Sequence, residues 1–177
     1  MHRLFVAIWP PEAIRERLLD LMEGVKGARW QDEDQLHLTL RFVGEVDRHQ
    51  ADDIAAALGT IRHPPFEIAV SGIGSFDRRG QPVTLWVGVS PHEPLKSLHK
   101  KVDQAVRRAG VEPDRRAYMP HITLARLNRS TGPIAPLLES AGGLSSPPFT
   151  GNSFRLYESQ LSPQGATYSV VERYPLG

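Results

Sequence analysis

The sequence predicts an α+β fold used twice: two lobes related by a pseudo-twofold axis, with two antiparallel-rich sheets facing a central cleft and helices outside. Three observations predict it. First, the tetrapeptide His37-Leu38-Thr39-Leu40 returns as His121-Ile122-Thr123-Leu124, 84 positions later. The chain has 7 His, 7 Thr and 19 Leu in 177 residues, so a His-x-Thr-Leu is expected only about 0.03 times. Second, strand-like and helix-like segments follow one another in the same order around each copy. Third, a Pro-Pro break follows each copy at nearly the same distance. Phe66, after Pro64-Pro65, lies 29 residues past His37, and Phe149, after Pro147-Pro148, lies 28 past His121. The expectation is one bilobal domain over 1–177, with repeat units of about 1–80 and 81–165 and a C-terminal strand at about 166–175.

The elements read in order. Arg3 to Trp9 is β-like. Pro11 suits the first position of a helix, where its missing N–H has no intrahelical partner to lose. Ile14, Leu18, Leu21 and Met22 then form a helical stripe, and Gly24 ends it. The first motif strand runs from about Leu36 to Val43. Asp47 with Gln50 resembles a capping box, followed by helical Ile54, Leu58 and Ile61. Phe66 to Val70 reads as a strand. Gly72-Ile73-Gly74 is too short for a dinucleotide-binding pattern and reads as a bulge or turn. In the second unit Val83 to Val89 is β-like. Pro94 begins a helix with Leu95, Leu98, Val102, Val106 and Ala109 on one face, ended by Gly110. The second motif strand runs from about Tyr118 to Leu127. A short helix holds Ile134, Leu137 and Leu138, and a last strand lies near Tyr168 to Tyr174.

Composition narrows the chemistry. Forty per cent hydrophobic and 23% charged residues describe a soluble globular chain. No apolar run is long enough to span a membrane, and the N-terminus has no signal-peptide layout. A cytoplasmic location is the expectation. The absence of cysteine excludes disulfides, thiolate catalysis and Cys-ligated metals. A net charge of +1 argues against broad coating of a nucleic acid. Lys100-Lys101 and Arg107-Arg108 read as a solvated helix face, whereas Arg115-Arg116, just before the second motif, is better placed to attract an anion.

In a strand, alternation puts His37 with Thr39, and His121 with Thr123, on one face, about 7 Å apart at their backbones, with the leucines and Ile122 behind. Histidine titrates nearest neutrality and can give or take a proton. Two of them across a substrate serve in-line displacement at phosphorus, one accepting the proton of the nucleophile and the other protonating the leaving group. The Thr39 and Thr123 hydroxyls can donate to phosphate oxygens. Arg126 is the natural charged partner, but it stands five residues after His121. Strict alternation puts it on the opposite face, so a bulge is needed to bring it in.

These residues resemble the two-histidine (2H) phosphoesterase superfamily, and within it the bacterial and archaeal RNA 2′,3′-cyclic phosphodiesterases, also called 2′-5′ RNA ligases. The resemblance spans essentially the whole chain. It is carried by Arg3-Leu4-Phe5-Val6-Ala7-Ile8, by His37-Leu38-Thr39-Leu40-Arg41-Phe42-Val43-Gly44, by Pro120-His121-Ile122-Thr123-Leu124-Ala125-Arg126, and by Leu156 to Pro163. Val43 stands where the family commonly has Leu, and Arg41 where it often has Lys. The resemblance implies metal-independent hydrolysis of a 2′,3′-cyclic phosphate to a 2′-phosphomonoester. His37 would be the general acid and His121 the general base, with Thr39, Thr123 and Arg126 holding the phosphate. It implies no metal and no cofactor, and substrates that are RNA 3′ ends or small cyclic nucleotides. The reverse reaction would join RNA ends through a 2′-5′ bond. The symmetry of the motif says only that one histidine does each job.

Other readings stand beside it. A non-catalytic RNA-end or nucleotide-binding module on the same scaffold has no use for a proton donor-acceptor pair. Zinc hydrolysis needs three protein ligands, and no His-Glu-x-x-His helix is present. His2, His49, His63, His92 and His99 lack matched partners and read as surface residues. Phe5, Trp9, Trp30, Phe42 and Trp86 read as core, with Phe5 and Phe42 as alternative candidates for stacking a nucleobase. The internal repeat supplies both halves of a cleft, so a monomer suffices.

Overall fold

The computed structural model describes residues 1–177. In chain order the elements are β1 (His2–Ile8), α1 (Glu12–Asp20), β2 (Arg29–Trp30), a 3-10 turn (Glu33–Gln35), β3 (Leu38–Val46), α2 (Arg48–Leu58) and β4 (Phe66–Arg78). Then follow β5 (Gln81–Ser90), α3 (His92–Arg108), β6 (His121–Arg126), α4 (Ala135–Ser140), β7 (Phe149–Gly151), β8 (Ser153–Ser162) and β9 (Gly165–Pro175).

The helices start where local chemistry permits. Pro11 caps α1 from just outside it, and its carbonyl accepts from the Ile14 and Arg15 N–H groups at 3.0 Å each. Asp47 caps α2 by accepting from the Gln50 N–H at 2.8 Å. The Gln50 side chain does not close a box there; it donates to the Ala109 carbonyl at 3.3 Å and ties α2 to the end of α3. The third helix begins two residues before the sequence reading, at His92. Pro94 is tolerated inside its first turn because N–H groups there have no intrahelical acceptor.

The strands form two antiparallel half-sheets, β7-β4-β5-β6 and β9-β8-β1-β3. They meet through one residue pair, Leu38 opposite Ile122, in the middle of the two motifs. Beyond it β3 and β6 diverge, and a cleft opens. The helices contribute Ile14, Leu18, Ile54, Leu58, Leu95 and Leu98 to a core of 32 buried residues behind the sheet, on the face of Leu38, Leu40, Ile122 and Leu124. On β1, Leu4, Val6 and Ile8 join that core, whereas Phe5 and Ala7 pack with Tyr157 on the other face. This strand is covered on both sides, which is why it reads as an unbroken apolar run.

The repeated units in sequence are not the lobes in space. β4 follows the first motif along the chain but pairs with β5, and β8 follows the second motif but pairs with β1. The cause at β4 is a two-residue turn, Arg79-Gly80, with φ of 53° and 77°. Such a turn folds β4 straight back onto β5. β4 is also far longer than Phe66–Val70. It passes through Gly72 (φ 79°), where the register against β5 shifts, and continues to Arg78. The strand expected after Pro147-Pro148 is split into a short β7 and the long β8. No helix is long and apolar enough to cross a membrane.

Candidate active site

Each motif histidine is held the same way. The 3-10 turn before the first motif is tied by Gln35, whose side chain accepts from the Asp32 N–H at 2.9 Å and donates to the Ala166 carbonyl at 2.9 Å. The Gln35 carbonyl is then 2.8 Å from His37 Nδ1. The Met119 carbonyl is 2.7 Å from His121 Nδ1. A carbonyl only accepts, so Nδ1 carries the hydrogen in both rings and Nε2 is left as the free base. Aromatic side chains brace both. Phe5 lies 4.9 Å and Tyr168 5.4 Å from the His37 ring, and Phe76 lies 4.8 Å from the His121 ring. Tyr168 and Phe76 come from the two long hairpins, far from either motif in sequence, and no local signal marks them.

Both motif strands bulge at the same residue. Thr39 pairs with Ala7 and Arg41 with Val6, which leaves Leu40 unopposed. Thr123 pairs with Trp86 and Ala125 with Leu85, which leaves Leu124 unopposed. Leu40 and Arg41 are therefore both buried, as are Leu124 and Ala125. The next residue in each strand returns to the face of the motif His and Thr. In the second motif that residue is Arg126, which donates to the Thr84 hydroxyl at 3.2 Å. In the first it is Phe42, which is 42% exposed and so is not a core residue. Phe42 is stacked at 6.3 Å on Phe5, and the Arg3 guanidinium lies over its ring at 5.5 Å. The site is thus symmetric in His and Thr but presents a cation on one side and an aromatic ring on the other.

The gap between the diverging motif strands is closed by two rings. The Tyr118 hydroxyl donates to the Thr39 carbonyl at 2.9 Å, and His99 Nδ1–H to the Leu40 carbonyl at 2.6 Å. The rings stack in parallel at 4.1 Å. One turn on in α3, Asp103 accepts from Arg41 Nε at 2.8 Å, while the same guanidinium donates to the Glu112 and Phe42 carbonyls. Arg41 is buried, and Asp103 balances its charge. His99 is therefore no surface residue. Nor is His63, which is buried with Nδ1 2.8 Å from the Pro64 carbonyl.

The cleft has a volume of about 1260 Å³ and is lined by His37, Thr39, His121, Thr123 and Arg126, together with Phe5, Phe42, Phe76, Tyr118 and Tyr168. Arg3, Arg29 and Arg116 line it as well, against Asp32 and Asp114. Burial pushes the His37 imidazole down to about 4; the Gln35 carbonyl opposes this, and the nearby His121 and Arg126 charges add to it. His121 is also lowered, first by burial and then by Arg126, against the Met119 carbonyl bond. Both rings are accordingly neutral at pH 7 in the free protein. No cluster of three or more His, Cys, Asp or Glu side chains able to hold a metal ion is present.

This geometry has known counterparts. The LigT like Phosphoesterase family model matches residues 8–86 and 87–168. An RNA 2′,3′-cyclic phosphodiesterase of Archaeoglobus fulgidus is 31% identical over 94% of this chain and 96% of its own. Among solved structures, TT0787 of Thermus thermophilus superposes with a TM-score of 0.83 at 25% identity, covering 98% of this chain and 97% of its own. E. coli LigT complexed with 3′-AMP superposes with a TM-score of 0.78 at 26% identity, covering 99% and 98%. Two bulged His-x-Thr strands at the seam of a duplicated α+β fold, matched along nearly the whole length, make this chain a member of the LigT-like phosphoesterase family.

Proposed function

We propose that the chain hydrolyses 2′,3′-cyclic phosphates, on RNA 3′ ends or small nucleotides, to 2′-phosphomonoesters by metal-independent acid-base catalysis. The observation that carries this reading is the pair of imidazoles, each anchored at Nδ1 and each beside a threonine, with Arg126 turned into the same cleft. His121 Nε2 accepts a proton from water as its oxygen attacks phosphorus. The bond from phosphorus to O3′ breaks, and His37 Nε2–H protonates O3′. The Thr39 and Thr123 hydroxyls donate to the non-bridging oxygens, and Arg126 balances the charge that gathers on them. With the 5′-hydroxyl of another RNA in place of water, the same displacement forms a 2′-5′ bond, and its reversal breaks that bond. The duplication supplies both halves of the site, so the enzyme acts as a monomer, in the cytoplasm.

The assignment of His37 as acid follows the family resemblance. In the free protein burial holds His37 down at about 4, so the negative charge of the bound phosphate must raise it and let the ring take up a proton from solvent. Hydrolysis of 2′,3′-cyclic nucleotides and RNA ends with a chelator present, followed by phosphorus NMR, tests the reading. The expected product is the 2′-phosphate. His37→Ala and His121→Ala are each expected to lower turnover at least about 10²-fold with the fold intact. Near-wild-type rates in either variant, or substrate binding without turnover in the wild type, overturn it.

A further inference from the structure

The two carbonyls that anchor the histidines come from unlike residues. Met119 uses only its backbone, and its side chain is 55% exposed. Gln35 is bound at every polar atom. Its N–H donates to the Asp32 carbonyl at 2.8 Å, its side-chain oxygen accepts from the Asp32 N–H at 2.9 Å, and its side-chain amide donates to the Ala166 carbonyl at 2.9 Å. The last of these bonds reaches the β8–β9 hairpin, 131 residues away in the chain.

That hairpin overhangs the sheet. β1 flanks β8 only from Arg155 to Glu158, whereas β8 and β9 stay paired as far as Ser162 and Gly165. From Ser159 to Tyr168 the two strands have no neighbour but each other, and an isolated pair of strands is marginally stable in water. The Gln35 amide makes the one hydrogen bond from this stretch to the rest of the protein. Tyr168 adds a second tie, its ring 4.9 Å from Phe5 and 5.4 Å from His37. Both ties end at His37, one at Nδ1 through the Gln35 carbonyl and one against the ring. His121 has a comparable ring brace in Phe76, but no side-chain bond joins its anchor to a hairpin. Ser159, Leu161, Ser162 and Gln164 of the overhang line the cleft, so a molecule held there meets it. We propose that Gln35 is a positioning residue that couples this hairpin, as a flap, to His37. Docking of the flap fixes the imidazole in its Nδ1–H form, and release of the flap frees the ring. The inference rests on the acid-base reading of the two histidines.

Two variants test it. Gln35→Met keeps the length of the side chain and removes both of its bonds. Gln35→Glu keeps an acceptor for the Asp32 N–H and removes only the donor to Ala166. In the free protein, amide hydrogen exchange over residues 159–168 is expected to quicken at least about tenfold in both variants, with α2 and α3 unchanged. Side-chain nitrogen NMR is expected to show His37 passing from the Nδ1–H form to a mixture of tautomers in Gln35→Met, with His121 unchanged. With a 2′,3′-cyclic nucleotide, kcat is expected to fall at least about tenfold in both variants while KM shifts less than about threefold. Should Gln35→Met fail to fold, Gln35→Glu decides through exchange and kcat. Unchanged exchange in the hairpin, an unchanged His37 tautomer, an equal change at His121, or an intact kcat overturns the proposal. A wild type that does not hydrolyse cyclic substrates overturns the catalytic reading alone, because exchange and tautomer are read without substrate.

Discussion

His37 shows how much of this site is set by what surrounds a single side chain. Its ring is packed against Phe5 and Tyr168, and this burial favours the neutral form although the Gln35 carbonyl that anchors Nδ1 opposes it. The folded pKa, about 4, lies below the ordinary value of 6.5. Between those values the unfolded chain binds more protons than the folded one, and stability therefore rises with pH in that window. The contribution is fully present above about pH 6.5 and is lost as pH falls towards about 4. His37→Gln keeps a polar side chain but does not titrate. Urea unfolding from pH 4 to pH 7.5 is expected to show a shallower acid loss in His37→Gln than in wild type; equal slopes contradict the assignment.

At the scale of elements, the bulges at Leu40 and Leu124 decide which side chains meet. Each adds one residue to the motif strand, and each reverses the parity beyond it, so that Arg126 and Phe42 face the substrate side. The bulge in β3 lies where that strand has already left β6, and two carbonyls there depend on Tyr118 and His99. These rings position the first motif; they do not take part in the proposed chemistry. Tyr118→Phe keeps the stacked ring and removes only the donor to the Thr39 carbonyl. It is expected to destabilise the protein by about 1–3 kcal/mol, since the carbonyl is left without its partner. It is also expected to lower kcat more than it raises KM. Unchanged stability by chemical denaturation counts against this account of the gap.

At the scale of the molecule, exchange of the third strand between the repeats binds the halves together. β4 completes the half-sheet of β5 and β6, and β8 that of β1 and β3. Cutting the chain between Arg79 and Gln81 strips each half-sheet of a neighbour and exposes strand edges to water. Neither fragment is expected to fold alone, and mixing them is expected to restore structure, as followed by far-UV circular dichroism. A cooperative melting transition in either isolated fragment contradicts this. The exchange also places Phe76 and Tyr168, each from a long hairpin, against the two histidines.

Sequence alone determined the duplication, the order of most elements and the identity of the histidine and threonine pairs. Those features are local: a tetrapeptide, a 3.6-residue stripe, a proline or an Asp at a helix start. The parity of Arg126 needed a bulge that alternation could only demand, and it exists because Leu124 has no residue opposite it on β5. Phe42 read as core because it is large and apolar, and it is exposed because the matching bulge turns it outward. His99 and His63 read as surface because nothing near them in the chain is a partner; their partners come from the folded backbone, Leu40 and Pro64 among them. The exchanged strands and the aromatic braces arise from pairings between distant segments. Register across a sheet is set by all the strands together, so only the tertiary structure decided which side chains share the cleft.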